Sequence, residues 1–224
     1  MPKKAGILFV IAGAVLMLTA LSLFLYNRAE DAQAGRNAEN LLAGVQSAME
    51  EREMQNTRPA EAAAVTPSET REPAAPPDPL DPELPTVELD GYAYVGVLAI
   101  PELELELPVM SEWDYERLRI APCRQFGSSR TDDLVIAAHN YESHFGRLKD
   151  LAAGAAVVFT DMDGIVNTYS VEEIRTLQPT EVDAVQNSGY DLVLYTCTPG
   201  GATRVTVFCD RQINERINRA VSVE

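Results

Sequence analysis

The chain reads as all-β, a barrel or sandwich of short strands behind an apolar stretch that suits a membrane helix. Three observations predict this. From about Thr86 onward, short runs rich in β-branched and aromatic residues recur, each bounded by turn residues. Residues 7–25 are 19 positions without a charge, long enough at about 1.5 Å per residue to cross a hydrocarbon core. Between them, 58–85 holds eight prolines in 28 residues, a composition that builds no core. The expected division is an anchor over 1–28, an extracytoplasmic stalk and Pro-rich linker over 29–85, and a folded domain over 86–224.

Lys3 and Lys4 precede the apolar run, which predicts a cytoplasmic N-terminus and the remainder outside. A cleaved leader is the rival reading, since Ala32-Gln33-Ala34 fits an A-x-A site. Nineteen residues is long for a leader's apolar region, so the anchor is preferred. Residues 29–57 are polar and rich in Ala, Glu and Gln, with Leu41, Leu42, Val45 and Met49 falling on one side of a helix. A partly ordered stalk is the favoured reading there. The Pro-rich segment reads as an extended spacer that holds the domain off a membrane.

Within the domain, 94–100 reads as a strand ended by Pro101. Leu103, Leu105 and Leu107 alternate with Glu102, Glu104 and Glu106, a strand with one wet face. Three acids at that spacing are a solvent face rather than a metal site. Residues 113–120 suit a short helix, and 133–138 form an apolar strand running into His139. Residues 155–161 and 165–173 suggest a hairpin over Met162-Asp163-Gly164. Thr180, with Asp183 three positions on, predicts a short helix over 181–187 that Gly189 ends. Two further strands, 191–196 and 204–208, flank the loop Thr198-Pro199-Gly200-Gly201-Ala202-Thr203.

That last pair carries the chemistry. Cys197 stands where one strand ends and Arg204 where the next begins. A cation beside a thiol favours the reactive thiolate, and a guanidinium has donors for a developing oxyanion. The only bases of suitable type are His139 and His144. His139 follows an apolar strand and is the better placed; His144 reads as a loop residue without a catalytic part. Cys209 falls on the strand face opposite Arg204, with Val205 and Val207, and reads as core, and Cys123 reads as structural. Three cysteines make no disulfide framework. Net charge is −16, and 87–224 alone carry 22 acidic and 11 basic side chains. An acidic domain of this kind does not suit nucleic acid.

These residues resemble the sortases, membrane-anchored cysteine transpeptidases of Gram-positive bacteria. Leu194-Tyr195-Thr196-Cys197 is similar to the family's T-L-x-T-C strand end, with Val193 in place of the first Thr. Arg204 follows in the next strand. Ala137-Ala138-His139 resembles its A-G-H, and Phe145-Gly146-Arg147-Leu148 resembles the segment after that histidine. The resemblance spans roughly residues 90–211 and implies a closed eight-stranded β-barrel with its groove beside the last two strands. It implies Cys197 as nucleophile, His139 as proton-transfer group, Arg204 as oxyanion or substrate ligand, and Thr196 as a further oxyanion donor through backbone or hydroxyl. It also implies no cofactor and no metal. The implied partners are secreted proteins bearing a C-terminal sorting signal, cleaved at a Thr–Gly type of bond, and an amine from a cell-wall precursor or a pilin. Two other classes stay open: a different cysteine peptidase or L,D-transpeptidase, and an inactive membrane-tethered binding module.

Overall fold

The computed structural model describes residues 3–57 and 82–212. One helix, α1 (Lys3–Thr57), precedes nine strands and two short helices. The strands are β1 (Val87–Leu89), β2 (Tyr92–Ile100), β3 (Leu105–Met110), β4 (Cys123–Phe126), β5 (Leu134–Ala137), β6 (Ala156–Asp161), β7 (Val166–Leu177), β8 (Leu192–Cys197) and β9 (Arg204–Arg211). The short helices are α2 (Tyr115–Leu118) and α3 (Asp183–Gln186). The sheet runs β1-β2-β3-β4-β5-β8-β9-β7-β6, and β6 pairs again with β2. That last pairing closes strands β2 to β9 into an eight-stranded barrel, with β1 as an extra antiparallel partner at the start of β2. Closure leaves those eight strands no open edge.

The barrel interior is filled by alternating apolar positions. Leu98, Leu107, Ile136, Val157, Phe159, Tyr169, Leu194 and Val207 are all buried in one cluster. β6 and β7 form the expected hairpin. Asp161 closes it, its Oδ1 accepting the N–H groups of Asp163 and Ile165 at 2.9 and 3.0 Å. The other oxygen of this fully buried carboxylate meets Arg130, which also reaches Asp163. Each buried charge therefore has its counter-charge, as burial demands.

Several expectations shift in detail. Leu103 belongs to a 3-10 turn, with Glu104 left-handed behind it, so the strand begins only at Leu105. α2 is one turn, capped by Asp114, whose side chain accepts the N–H of Arg117. α3 starts at Val182 without a side-chain cap, and no capping box forms from Thr180. Glu181 instead accepts the N–H of Gln178. β4, a strand of Cys-Arg-Gln-Phe, lies where none was expected.

The largest difference lies at the N-terminus. Residues 29–57, expected as a partly ordered stalk, continue α1 without a break. Ala34, Ala38 and Val45 are buried, and Leu41, Leu42 and Met49 pack beside Tyr94, Met110 and Met162. The physical reason is a 34, 38, 41/42, 45, 49 stripe, one helical face that the barrel wall covers. Polar clamps flank it: Arg52 to Asp163 at 3.0 Å, Gln46 to Glu106 at 2.8 Å, and Asp31 to Ser143 at 2.7 Å. The apolar part, by contrast, has none of its hydropathic window buried by the protein and is long and apolar enough to cross a membrane. Residues 58–81 of the Pro-rich linker lie outside the described residues. Because α1 docks on the barrel upstream of them, they do not set the separation between the apolar stretch and the barrel.

Candidate active site

Three adjacent strands, β5, β8 and β9, carry or lead into the three candidate positions, His139, Cys197 and Arg204. β8 and β9 pair antiparallel from Leu192↔Cys209 to Cys197↔Arg204. The thiol and the guanidinium thus belong to the last facing pair before the turn. The turn holds itself: the N–H of Thr198 donates to the carbonyl of Thr203 at 3.0 Å, and that of Gly201 to the carbonyl of Thr198 at 2.7 Å. Gly200 and Gly201 both adopt left-handed φ, +83° and +76°, which side chains with a Cβ rarely tolerate. The Nη1 of Arg204 donates to the carbonyls of Gly201 and Thr203, both at 3.0 Å. These bonds fix the guanidinium and leave the Nη2 and Nε donors for other work.

β5 runs parallel to β8, Leu134↔Leu192 through Ala137↔Tyr195. Two bonds carry the alignment past the last bridge. The N–H of Ala138 donates to the carbonyl of Tyr195 at 3.2 Å, and the hydroxyl of Thr196 to the carbonyl of Ala138 at 2.8 Å. Extended two positions, this register sets residue 139 abreast of residue 197. The Thr196 hydroxyl is buried and committed to that bond. It ties β8 to the approach of His139.

Cys197 and Arg204 line a groove whose walls are mostly apolar, formed by Trp113, Leu118, Phe126, Leu177, Val185 and Tyr195 among others. His139 is not among the lining residues. Its Nδ1 lies 2.9 Å from Oδ1 of Asn140 and accepts or faces the Asn140 N–H at 3.0 Å. Asn140 therefore satisfies Nδ1 in either protonation state, as donor through its backbone and as acceptor through its side chain. Nε2 is the ring nitrogen left for proton transfer. The ring stacks on Tyr141, with centroids 4.1 Å apart and planes 6° apart.

His144 is placed otherwise. It is fully buried, and neither ring nitrogen has a hydrogen-bond partner among the described residues. Burial, and then the neighbouring His139, pull its pKa down to about 4. It is a packed loop residue and does not line the groove. The loop between the histidines is tight: the N–H of Gly146 donates to the carbonyl of Tyr141 at 2.8 Å. A Cβ at 146 would sit 2.6 Å from the Asn140 carbonyl oxygen, so only glycine closes this loop without displacing backbone.

The three thiols differ as sharply. Cys123 and Cys209 are fully buried, and burial pushes both up to about 12. Cys197 alone is partly exposed. An inert thiol is the consequence of burial in apolar surroundings, so the nucleophile of this chain is narrowed to one candidate. Among the described residues, no group of three or more His, Cys, Asp or Glu side chains could hold a metal ion.

Comparison with known proteins places this geometry. A sortase-domain family model matches residues 98–212. No curated protein matches the chain. Among solved structures, sortase C1 of GBS pilus island 1 is similar, with 22% identity and a TM-score of 0.47 over 53% of this chain and 64% of that one. The chain thus spans less than two thirds of that structure's length. Sortase A from Corynebacterium diphtheriae, a lid mutant, gives 20% identity and a TM-score of 0.47 over 56% and 74% of the two chains. Sortase C1 from Streptococcus agalactiae gives 25% and 0.49 over 57% and 72%.

Proposed function

Because the chain belongs to the sortase family, we propose that it is a cysteine transpeptidase acting on sorting signals at a membrane surface, with Cys197, His139 and Arg204 as its machinery. The observation that carries the reading is the terminal Cys197↔Arg204 pair of β8 and β9, opening on an apolar groove beside the strand that delivers His139. The thiolate of Cys197 attacks the scissile carbonyl. Arg204 meets the developing oxyanion through the donors its own loop leaves free. As the C–N bond breaks, Nε2 of His139 gives its proton to the leaving amine, and a thioester remains on Cys197. The incoming amine then loses a proton to His139, attacks the thioester and restores the thiolate. Thr196 acts by position, holding β8 against the segment that ends at His139.

The substrates of this reading are secreted proteins with a C-terminal sorting signal, and the acceptor is an amine of a cell-wall precursor or a pilin. Residues 1–28 serve as a single-pass anchor with a cytoplasmic N-terminus, and 86–224 as the catalytic unit outside the cell membrane. Lys3 and Lys4 before the apolar run, against the single Arg28 just after it, support that orientation. Incubation with a Thr–Gly-containing sorting peptide should leave a thioacyl adduct on Cys197, detected by mass spectrometry, and an added amine such as triglycine should discharge it. An adduct on Cys123 or Cys209, or release by water alone with no amine product, would overturn the assignment.

A further inference from the structure

The loop that carries His139 is clamped from the far side by α1, a helix that begins some 130 positions earlier in the chain. Asp31 of α1 accepts both the N–H and the hydroxyl of Ser143, at 3.1 and 2.7 Å, and the Ser143 hydroxyl also lies 3.1 Å from the Asp31 carbonyl. Glu30 of α1 pairs with Arg119 at 3.5 Å. The Tyr141 ring lies flat on His139 and meets the edge of His144 at 5.5 Å. His144 itself is sealed between this loop and α1, close to Asp31 and Ala34. One aromatic ring thus bridges the half-buried histidine and the fully buried one, and α1 supports the loop from behind.

We propose that Tyr141 is the positioning residue for His139, and that Asp31 of α1 holds its loop in place through Ser143, so that the helix preceding the barrel contributes to turnover. The inference rests on His139 as the proton-transfer group. An imidazole held only by Asn140 retains rotation about the axis through Nδ1, whereas a parallel ring at 4.1 Å fixes the plane and with it the direction of Nε2. The π face of tyrosine also favours the cationic ring, which donates its proton in the first half-reaction and is restored in the second. The charged and titratable groups around the stack are Glu30 and Asp31 from α1, Arg119 after α2, and Glu142 and His144 from the loop itself.

The test uses the full chain in detergent, with cleavage of a fluorogenic peptide containing a Thr–Gly bond. Tyr141→Ala should lower kcat by roughly 10- to 100-fold with KM little changed, the scale of a misdirected catalytic group. Tyr141→Phe keeps the stack and should keep the rate, while Asp31→Asn should fall between them. The chain has only two histidines, so histidine-labelled protein gives two ring spectra. The ring-current shift of His139 should vanish in Tyr141→Ala and persist in Tyr141→Phe. Unchanged kcat in a folded Tyr141→Ala, or an equal loss in Tyr141→Phe, would overturn the proposal. If Tyr141→Ala does not fold, loss of kcat without loss of the fold in Asp31→Asn carries the test, and a full rate there sinks it. His139→Ala is run alongside: retained activity in that variant would remove the reading of His139 itself, whereas an inactive His139→Ala beside a fully active Tyr141→Ala rejects the positioning role alone.

Discussion

Cys197 and Arg204 owe their places to strand register, whereas His139 owes its place to a loop packed between the barrel and a remote helix. The first pair is local: six residues separate them, and the β8–β9 ladder sets their facing positions. The second is assembled. The alignment of β5 with β8 brings residue 139 to the right level, and Asn140, Tyr141, Ser143 and α1 decide where the ring points. Strand pairing thus fixes the positions of the proposed nucleophile and oxyanion ligand, while the proposed proton-transfer group depends on a more distributed set of contacts. Damage to the hairpin should act on chemistry alone. Damage to the loop should also reach stability, because His144 and Phe145 are core residues there.

The most severe break is Cys197→Ala, which should reduce peptide cleavage to background while the fold, followed by circular dichroism, stays intact. On the loop side, His139→Ala should also abolish cleavage, whereas His144→Ala should retain most of it and lose about 1–3 kcal/mol of stability from the space left in the core. Urea denaturation and steady-state rates on both variants separate the two roles, and a dead, fully stable His144→Ala would reverse them. Arg204→Lys keeps the charge and loses the planar fork, so about 2–4 kcal/mol of transition-state stabilisation should disappear without a change in melting temperature.

The loop has a pH signature of its own. His144 takes up a proton at about pH 4 when folded and near 6.5 when unfolded. The unfolded chain therefore binds more protons between these values, and stability falls as pH drops from about 6.5 to 4. The loss should be on the order of 2–4 kcal/mol, and His144→Leu should flatten that part of the stability curve. The mildest expected effect is Cys209→Ala, about 1 kcal/mol of stability with cleavage unchanged.

The same contrast explains what could be read from the chain alone. Short apolar runs expose β5 and β8, alternation exposes β9, and the spacing of Cys197 and Arg204 across a Gly-Gly turn exposes the hairpin site. β4 escaped because Cys-Arg-Gln-Phe shows no alternation, and its place rests on pairing with β5 and a single parallel bridge to Met110. The docking of α1 escaped because its buried positions include Ala34 and Ala38, small residues whose apolar signal is weak, set among Glu, Gln and Arg. His144 carried no signal at all. Its burial follows from the turn at Gly146 and the helix above it, neither of which a local pattern reports. The hydroxyl of Thr196 could be assigned only once the Ala138 carbonyl was seen beside it.

The unbroken passage of α1 from its apolar half into its docked half has a mechanical consequence. A flexible tether of the 28 residues from Glu30 to Thr57 would let a catalytic body wander over an r.m.s. distance of about 30 Å. Carried on a continuous helix instead, the barrel has no universal joint: with the apolar half in a bilayer, it turns about one axis and keeps one altitude. For the proposed function, encounter with a membrane-borne substrate would then be a search in a plane, with the helix setting the height of the groove.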